Sequence, residues 1–147
     1  MAKELEERRS AEKDEVRFYM TEDIISVDSR ASATEAAQTM YDYMQGSVLI
    51  EKEGKYIGIL TEGDISQRVI AEIKKPIEVQ VKSIMSQPII SIESNKLMAA
   101  AFLIMEKHEI RHIVVTENDK IIGMLSIRDF SKYYIRKFSK RKIISSD

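Results

Sequence analysis

The 147-residue sequence contains no cysteine and no tryptophan, only two prolines and five glycines, and no long apolar run. Without cysteine there can be neither a disulfide framework nor a thiolate zinc site, and a reducing cytoplasmic compartment is the expected location. The longest apolar stretches fall far short of the roughly 20 residues of a membrane span. The opening MAKELEERRS carries charges where a signal peptide needs an apolar run, so neither export nor membrane association is expected. With 44% apolar and 32% charged residues, the chain reads as an ordinary folded protein rather than a disordered or fibrous one. At this length it is one domain, or two small ones that must pack on each other to bury enough surface.

Catalytic signatures are missing as well. There is no cysteine nucleophile and no phosphate-binding P-loop, and although His108, Glu109 and His112 have the His-Glu-x-x-His spacing, Ile110 onward reads as strand entry rather than the helix that a metalloprotease site requires. Acidic residues are scattered rather than paired in an apolar setting, which leaves no candidates for matched acid and base roles. Neither an enzyme nor a metal site is expected. The net charge of −1 hides a split between the ends. Residues 1 to 15 carry four basic residues (Lys3, Arg8, Arg9, Lys13) against six acidic ones (Glu4, Glu6, Glu7, Glu12, Asp14, Glu15). Residues 131 to 147 carry six basic residues (Lys132, Arg136, Lys137, Lys140, Arg141, Lys142) against Asp147 alone. Such a split favours pairing of the two ends or capture of an anionic partner.

What is present is an internal repeat. A shift of 65 residues, the separation of Gly58 and Gly123, also superposes Met20 on Met85, Ser29 on Ser94, Ala36 on Ala101, Met40 on Met105, Leu60 on Leu125 and Asp64 on Asp129. Ile24, Ile25 and Ser26 fall on Ile89, Ile90 and Ser91 without a gap. Matched apolar residues alone could reflect two similar helices, but Gly, Ser and Asp in one register cannot.

Each copy predicts the same elements. A short strand, Ile24 to Val27 or Ile89 to Ile92, precedes a helix with apolar residues at helical spacing: Ala33, Ala36, Ala37, Met40 and Met44, or Met98, Ala101, Phe102 and Met105. Ser32 with Glu35 forms a capping box, and Asn95 is the corresponding cap expected in the second copy. Val48 to Ile50 and Ile113 to Val115 suit buried strands. Glu53-Gly54 and Asn118-Asp119 suit hairpin turns into the strands Tyr56 to Leu60 and Ile121 to Leu125. A second helix is expected to begin near Asp64 or Asp129. In the first copy it should stop by Lys75, before Pro76.

The most informative segment is Gly58-Ile59-Leu60-Thr61-Glu62-Gly63-Asp64, echoed by Gly123-Met124-Leu125-Ser126-Ile127-Arg128-Asp129: glycine, two apolar residues, a hydroxyl, two others, aspartate. It resembles the signature that ends the third strand of CBS (cystathionine-beta-synthase) domains, and the resemblance spans Val16 to about Arg136. The fold it implies is α/β: two β-α-β-β-α CBS repeats packed about a pseudo-twofold axis, with flanking terminal helices. The corresponding boundaries are a charged segment 1–15, repeat one 16–73, a linker 74–80, repeat two 81–136 and a basic tail 137–147.

The resemblance further implies a regulatory module without required cofactor, binding an adenosyl ligand in the cleft between the repeats. AMP, ADP or ATP are the first choices, with S-adenosylmethionine or an NAD-type dinucleotide behind them. Asp64 and Asp129 suit a ribose diol, because a carboxylate accepts from both hydroxyls. Thr61 and Ser126 can donate to ribose or phosphate oxygens beside helix amides. The first strands, through Ile25, Val27, Ile90 and Ile92, would meet adenine. Arg111 and His112 stand where CBS domains place residues that reach phosphate, whereas the first copy has Gly46-Ser47 there, which predicts unequal clefts. Arg128 and Arg68 are weaker phosphate candidates. The same hydroxyl-x-x-Asp pattern is also a helix capping box, and the two roles are compatible.

A homodimer and an effector protein are the partners the resemblance implies. The alternative is a dimerisation or nucleic-acid-binding module with vestigial clefts, motivated by Phe130, Tyr134 and Phe138 spaced among the basic residues of the tail. An amphipathic helix packing that aromatic stripe on the domain is the preferred reading of it.

Overall fold

The computed structural model describes residues 1–5 and 14–145, those from 140 onward by backbone alone. The expectations that rest on Glu6, Glu7, Arg8, Arg9, Glu12, Lys13 and Asp147, and on the side chains of Lys140, Arg141 and Lys142, lie outside the described residues. The chain divides into two compact units, one running Ile24–Ile90 and the other made of Met1–Asp23 with Ser91–Asp147.

The contiguous unit holds β1 (Ser26–Asp28), α1 (Ala33–Tyr43), β2 (Ser47–Lys52), β3 (Lys55–Thr61) and the short helix α2 (Glu62–Ile65), which passes into a π turn at Ser66–Ile70. Strand β1 lies parallel to β2 and β2 antiparallel to β3, with α1 as the crossover of the parallel pair. The strand triplet Val48, Leu49 and Ile50 is buried throughout, as a run of branched residues predicts. Ser32 accepts from the Glu35 amide at 3.1 Å while the Glu35 carboxylate receives the Ser32 amide at 3.4 Å, the expected capping box. The β2–β3 turn has two successive positive φ angles, Glu53 at 52° and Gly54 at 76°, as a two-residue hairpin demands.

The split unit repeats this plan with β4 (Ser91–Glu93), α3 (Met98–His108), β5 (His112–Glu117), β6 (Lys120–Ser126) and α4 (Ile127–Ser145). Its hairpin turns at Asn118 and Asp119, also both left-handed. Two expectations need correction. Helix α3 is not capped by Asn95: its N-cap is Leu97, which gives no side-chain bond, and the Met98 amide instead donates to the Asp14 carbonyl at 2.9 Å. The first and fourth strands begin two residues later than expected, since their ladders start only at Ser26 and Ser91. The second helix of this unit ends before Lys75, as Pro76 led us to expect: after the π turn, Ile73 turns left-handed at φ 58° and the Lys74 amide closes back on Val69.

The segment leading into each sequence repeat packs in the unit built mainly from the other repeat. Residues 14–21 lie in the split unit, where the Val16 amide donates to Lys96 and the Arg17 amide to Ser94. Residues 79–86 do the same work in the contiguous unit, the Val81 amide donating to Ala31 and the Lys82 amide to Ser29. Val16 and Val81 are fully buried, each removal of such a side chain from water stabilising by about 1.5–3 kcal/mol. Further along, Thr21 and Met124 exchange two backbone hydrogen bonds, as do Ser86 and Ile59. Met20 then lies across Gly123, and Met85 across Gly58, which explains why both strands need glycine there.

Among the described residues, an ion pair joins the acidic start to the basic tail: Lys137 Nζ lies 3.1 Å from Asp14 Oδ2 and donates at 2.9 Å to the Tyr133 hydroxyl. Burial pushes the Tyr133 phenol above its usual 10.0, and the bond to Tyr133, then that to Asp14, raises the Lys137 ammonium. Both protons are held more tightly in the folded state, so their stabilisation is complete below the unfolded values and is lost as pH rises through the folded ones. Thermal melts should therefore show stability falling above about pH 10. Lys137→Ala should flatten that fall, at a cost below about 1 kcal/mol near neutrality because the pair is half-exposed.

The aromatic stripe of α4 is only partly as expected. Phe130 is buried edge-on against Phe102, but Tyr134 and Phe138 are 45% and 56% exposed and stack on each other. Tyr133 takes the inward place instead, edge-on to Tyr19 at 5.0 Å. A four-residue spacing drifts around a 3.6-residue helix, so position 133 faces inward with 130 while 134 and 138 rotate outward.

Candidate functional site

Each unit has a corner where the third strand of its sheet ends and a helix begins, and the sheet register decides what meets there. In the contiguous unit Ser47 pairs with Thr61, and the Glu62 amide donates to the Gly46 carbonyl at 3.1 Å. In the split unit His112 pairs with Ser126, and the Ile127 amide donates to the Arg111 carbonyl at 2.9 Å. The expected basic pair is thus set beside Ser126 and the start of α4, while the other corner has Gly46-Ser47.

Both aspartates bond back to the residue that precedes their helix. Thr61 is the N-cap of α2 and forms a full capping box with Asp64: the Thr61 amide donates to Asp64 Oδ2 at 2.9 Å and the Asp64 amide to Thr61 Oγ1 at 3.1 Å. The Ser126 amide donates to Asp129 Oδ2 at 2.8 Å, and the Ser126 hydroxyl lies 3.3 Å from the same oxygen. The helices accordingly start at Glu62 and Ile127, two residues before the aspartates, because each aspartate occupies the third helical position.

Beyond the caps the corners differ. The single Ser86 hydroxyl lies 3.2 and 3.4 Å from the two Asp64 oxygens and donates its one proton to that carboxylate, and Arg68 Nη2 approaches Oδ1 at 3.9 Å. Arg68 also donates to the carbonyls of Ile84 and Met85, so it clamps the segment entering the unit rather than standing ready for phosphate. Arg68 has no like in the split unit, where the equivalent position is Tyr133, whereas Ser86 is matched there by the hydroxyl residue Thr21. Sequence reasoning passed over Ser86. The only signal was its place next to Met85 in the repeat.

The remaining candidates separate into exposed and core positions. Arg111 and Arg128 are exposed and His112 is half-buried. Ile25 belongs to the apolar core of the contiguous unit with Val27 packed against it, and its carbonyl accepts from the Leu49 amide at 3.0 Å. Ile92 is likewise buried at 5% exposure, while Ile90 is half-buried. The side chains of Ile25, Val27 and Ile92 are therefore committed to packing.

The CBS domain family model matches residues 14–71 and 81–136, and the chain belongs to that family. It is 36% identical over 109 residues to an uncharacterized protein of Methanopyrus kandleri, the match covering 73% of this chain and 56% of that protein. The chain thus spans little more than half of that relative's length. Over 116 residues it is 25% identical to the CBS domain-containing protein YhcV of Bacillus subtilis, covering 79% of this chain and 82% of that one. The solved structure of a conserved protein from Pyrococcus horikoshii superposes with a TM-score of 0.77 at 28% identity, covering 84% of this chain and 93% of that one. CBS pairs are generally regulatory modules that typically bind adenosyl ligands and commonly oligomerise. Among the described residues, no helix is long and apolar enough to cross a membrane.

Proposed function

We propose that the chain is a non-catalytic regulatory module that binds an adenosyl nucleotide at its strand–helix corners. AMP, ADP and ATP rank ahead of S-adenosylmethionine and NAD-type dinucleotides. The observation that carries this reading is the register of β5 on β6, which sets Arg111 and His112 beside Ser126, next to the buried carboxylate of Asp129. A carboxylate supplies the acceptor a ribose diol needs, a hydroxyl and a guanidinium the donors that phosphate needs, and the cation tilts the choice toward phosphorylated ligands. A homodimer in the cytoplasm, passing its ligand state to an effector protein, completes the proposal.

Thermal melts with AMP, ADP, ATP, NADH and S-adenosylmethionine, and GTP as the control, test it. A ligand at 100 times its Kd adds about 2.7 kcal/mol of stability, which for a chain of this size raises the melting temperature by about 5–11 °C. Adenine nucleotides are expected to produce that shift and GTP none. A panel in which no adenosyl ligand moves the transition contradicts the reading.

The second reading, a dimerisation or nucleic-acid-binding module, draws on the half-exposed stack of Tyr134 and Phe138 on a helix that also carries Lys132, Arg136 and Lys137. Salt-sensitive binding of oligonucleotides without any response to adenosyl ligands would favour it.

A further inference from the structure

We propose that α4 carries a second binding surface, for single-stranded nucleic acid, on the face that holds Tyr134 and Phe138. The proposal takes the nucleic-acid side of the second reading, gives it a place in the fold, and does not depend on what the corners bind.

The helix outgrows the repeat that contains it. The CBS match stops at residue 136, whereas α4 runs on to Ser145. Its inward face is apolar only at the start. Phe130 and Tyr133 are buried there, and one turn after Tyr133 the same face carries Lys137, whose ammonium is held by Asp14 and Tyr133. Every residue from Tyr134 to Ser139 is exposed, so this part of the helix is laid open to solvent rather than packed.

Its outward face presents a pair of rings. Tyr134 and Phe138 stack with 15° between their planes and 6.0 Å between their centroids, and they are 45% and 56% exposed. Helical spacing places Arg141 and Lys142, three and four residues beyond Phe138, on that same face. Lys132 and Arg136 fall on the side turned away from the rings, since two residues are more than half a turn. Over Ile127–Ser145 seven basic residues stand against one acidic residue, Asp129, whose carboxylate holds the Ser126 amide.

Exposed rings beside a surplus of cations are what a single strand needs: its bases stack on aromatic faces and its phosphates are neutralised. A duplex fits less well, because its base faces are already stacked. A bilayer surface calls for a continuous apolar stripe, and here Ser131 interrupts the stripe between Ile127 and Tyr134 while Arg141 and Lys142 end it after Phe138.

Fluorescence anisotropy of labelled oligo(dT) with the 147-residue chain tests the inference. Thymine carries no adenine, and excess ATP present throughout keeps the corners out of the measurement. Saturable binding that weakens with salt is expected. Tyr134→Ala/Phe138→Ala should weaken it by about fivefold or more, the loss of one stacked base. Tyr134→Phe, which keeps the ring, should bind as the wild type does. Arg141→Ala/Lys142→Ala should lower the slope of log K against log salt by about 1.4, two phosphate contacts at about 0.7 each. Lys132→Ala/Arg136→Ala removes the same charge from the other side and should lower it by less. Melting curves show that each variant is folded. Binding that the ring variant leaves unchanged, equal losses from the two charge variants, tighter binding of the corresponding duplex, or capture of phosphatidylserine vesicles in place of the oligonucleotide would each overturn the inference. A chain that ignores oligo(dT) while its melt still shifts with ATP overturns this inference and leaves the nucleotide reading standing.

Discussion

Gly123→Ala is expected to lower the melting temperature by about 2–12 °C, and Met20→Ala in the same chain to return part of that loss. A Cβ built on Gly123 falls 2.5 Å from Met20 Sδ and 3.0 Å from the Thr21 carbonyl oxygen. The thioether is the end of a flexible side chain and can swing away. The carbonyl cannot, because Thr21 and Met124 hold each other through two backbone hydrogen bonds of 2.8 and 2.9 Å. Overpacking of this kind costs about 1–3 kcal/mol, which sets the size of the shift. Shortening Met20 alone removes buried thioether contacts and destabilises as well, so the informative quantity is the non-additivity of the pair in a double-mutant cycle. Gly58→Ala with Met85→Ala should behave alike, since Met85 Sδ lies 2.6 Å from the corresponding Cβ position. Strict additivity, with Gly123→Ala as damaging in the Met20→Ala background as in the wild type, would show that the methionine is not what the glycine accommodates.

That pairing also shows where reading the sequence stops. The repeat, the order of its elements, the Ser32–Glu35 capping box and the two hairpin turns were all legible, because each is decided by residues within a few positions of one another. The exchange of leading segments was not. Met20 and Met85 are the same residue, as are Gly58 and Gly123, so the sequence is satisfied equally well whether each methionine covers the glycine of its own repeat or of the other. The same exchange hid the cap of α3, which is a backbone carbonyl of Asp14 more than 80 residues away in the chain. The corner aspartates were legible as a matched pair, and the mismatch that separates them, Arg68 against Tyr133, stood in plain sight. Its meaning depended on which side chains turn toward the carboxylate, which a repeat alignment does not contain. The side chains of Ile25, Val27 and Ile92 pack in the core, which leaves the backbone of the first strands as the part the resemblance assigns to adenine.

The second large effect concerns Arg111. Arg111→Ala is expected to weaken ATP or ADP binding by about 10- to 150-fold, the range for one charge-assisted hydrogen bond lost to a ligand, while leaving adenosine affinity within about twofold. The guanidinium is exposed and precedes β5, where the Arg111 carbonyl accepts the Ile127 amide. Removing the side chain leaves that backbone bond intact, so the fold should be undisturbed. The contrast between phosphorylated and unphosphorylated ligand isolates the phosphate contribution from the ribose and adenine contacts. Arg111→Lys should recover part of the loss, since it restores the charge without the planar fork. Equal losses for ATP and adenosine would instead mean that Arg111 supports the corner structurally.

The central claim is that this CBS pair binds an adenosyl nucleotide. Isothermal titration of ADP into the purified 147-residue chain, with Asp129→Asn run alongside, tests it most directly. The account predicts a saturable isotherm that weakens in the variant; a wild-type isotherm with no heat beyond dilution for ADP, repeated with ATP and S-adenosylmethionine on demonstrably folded protein, would contradict it.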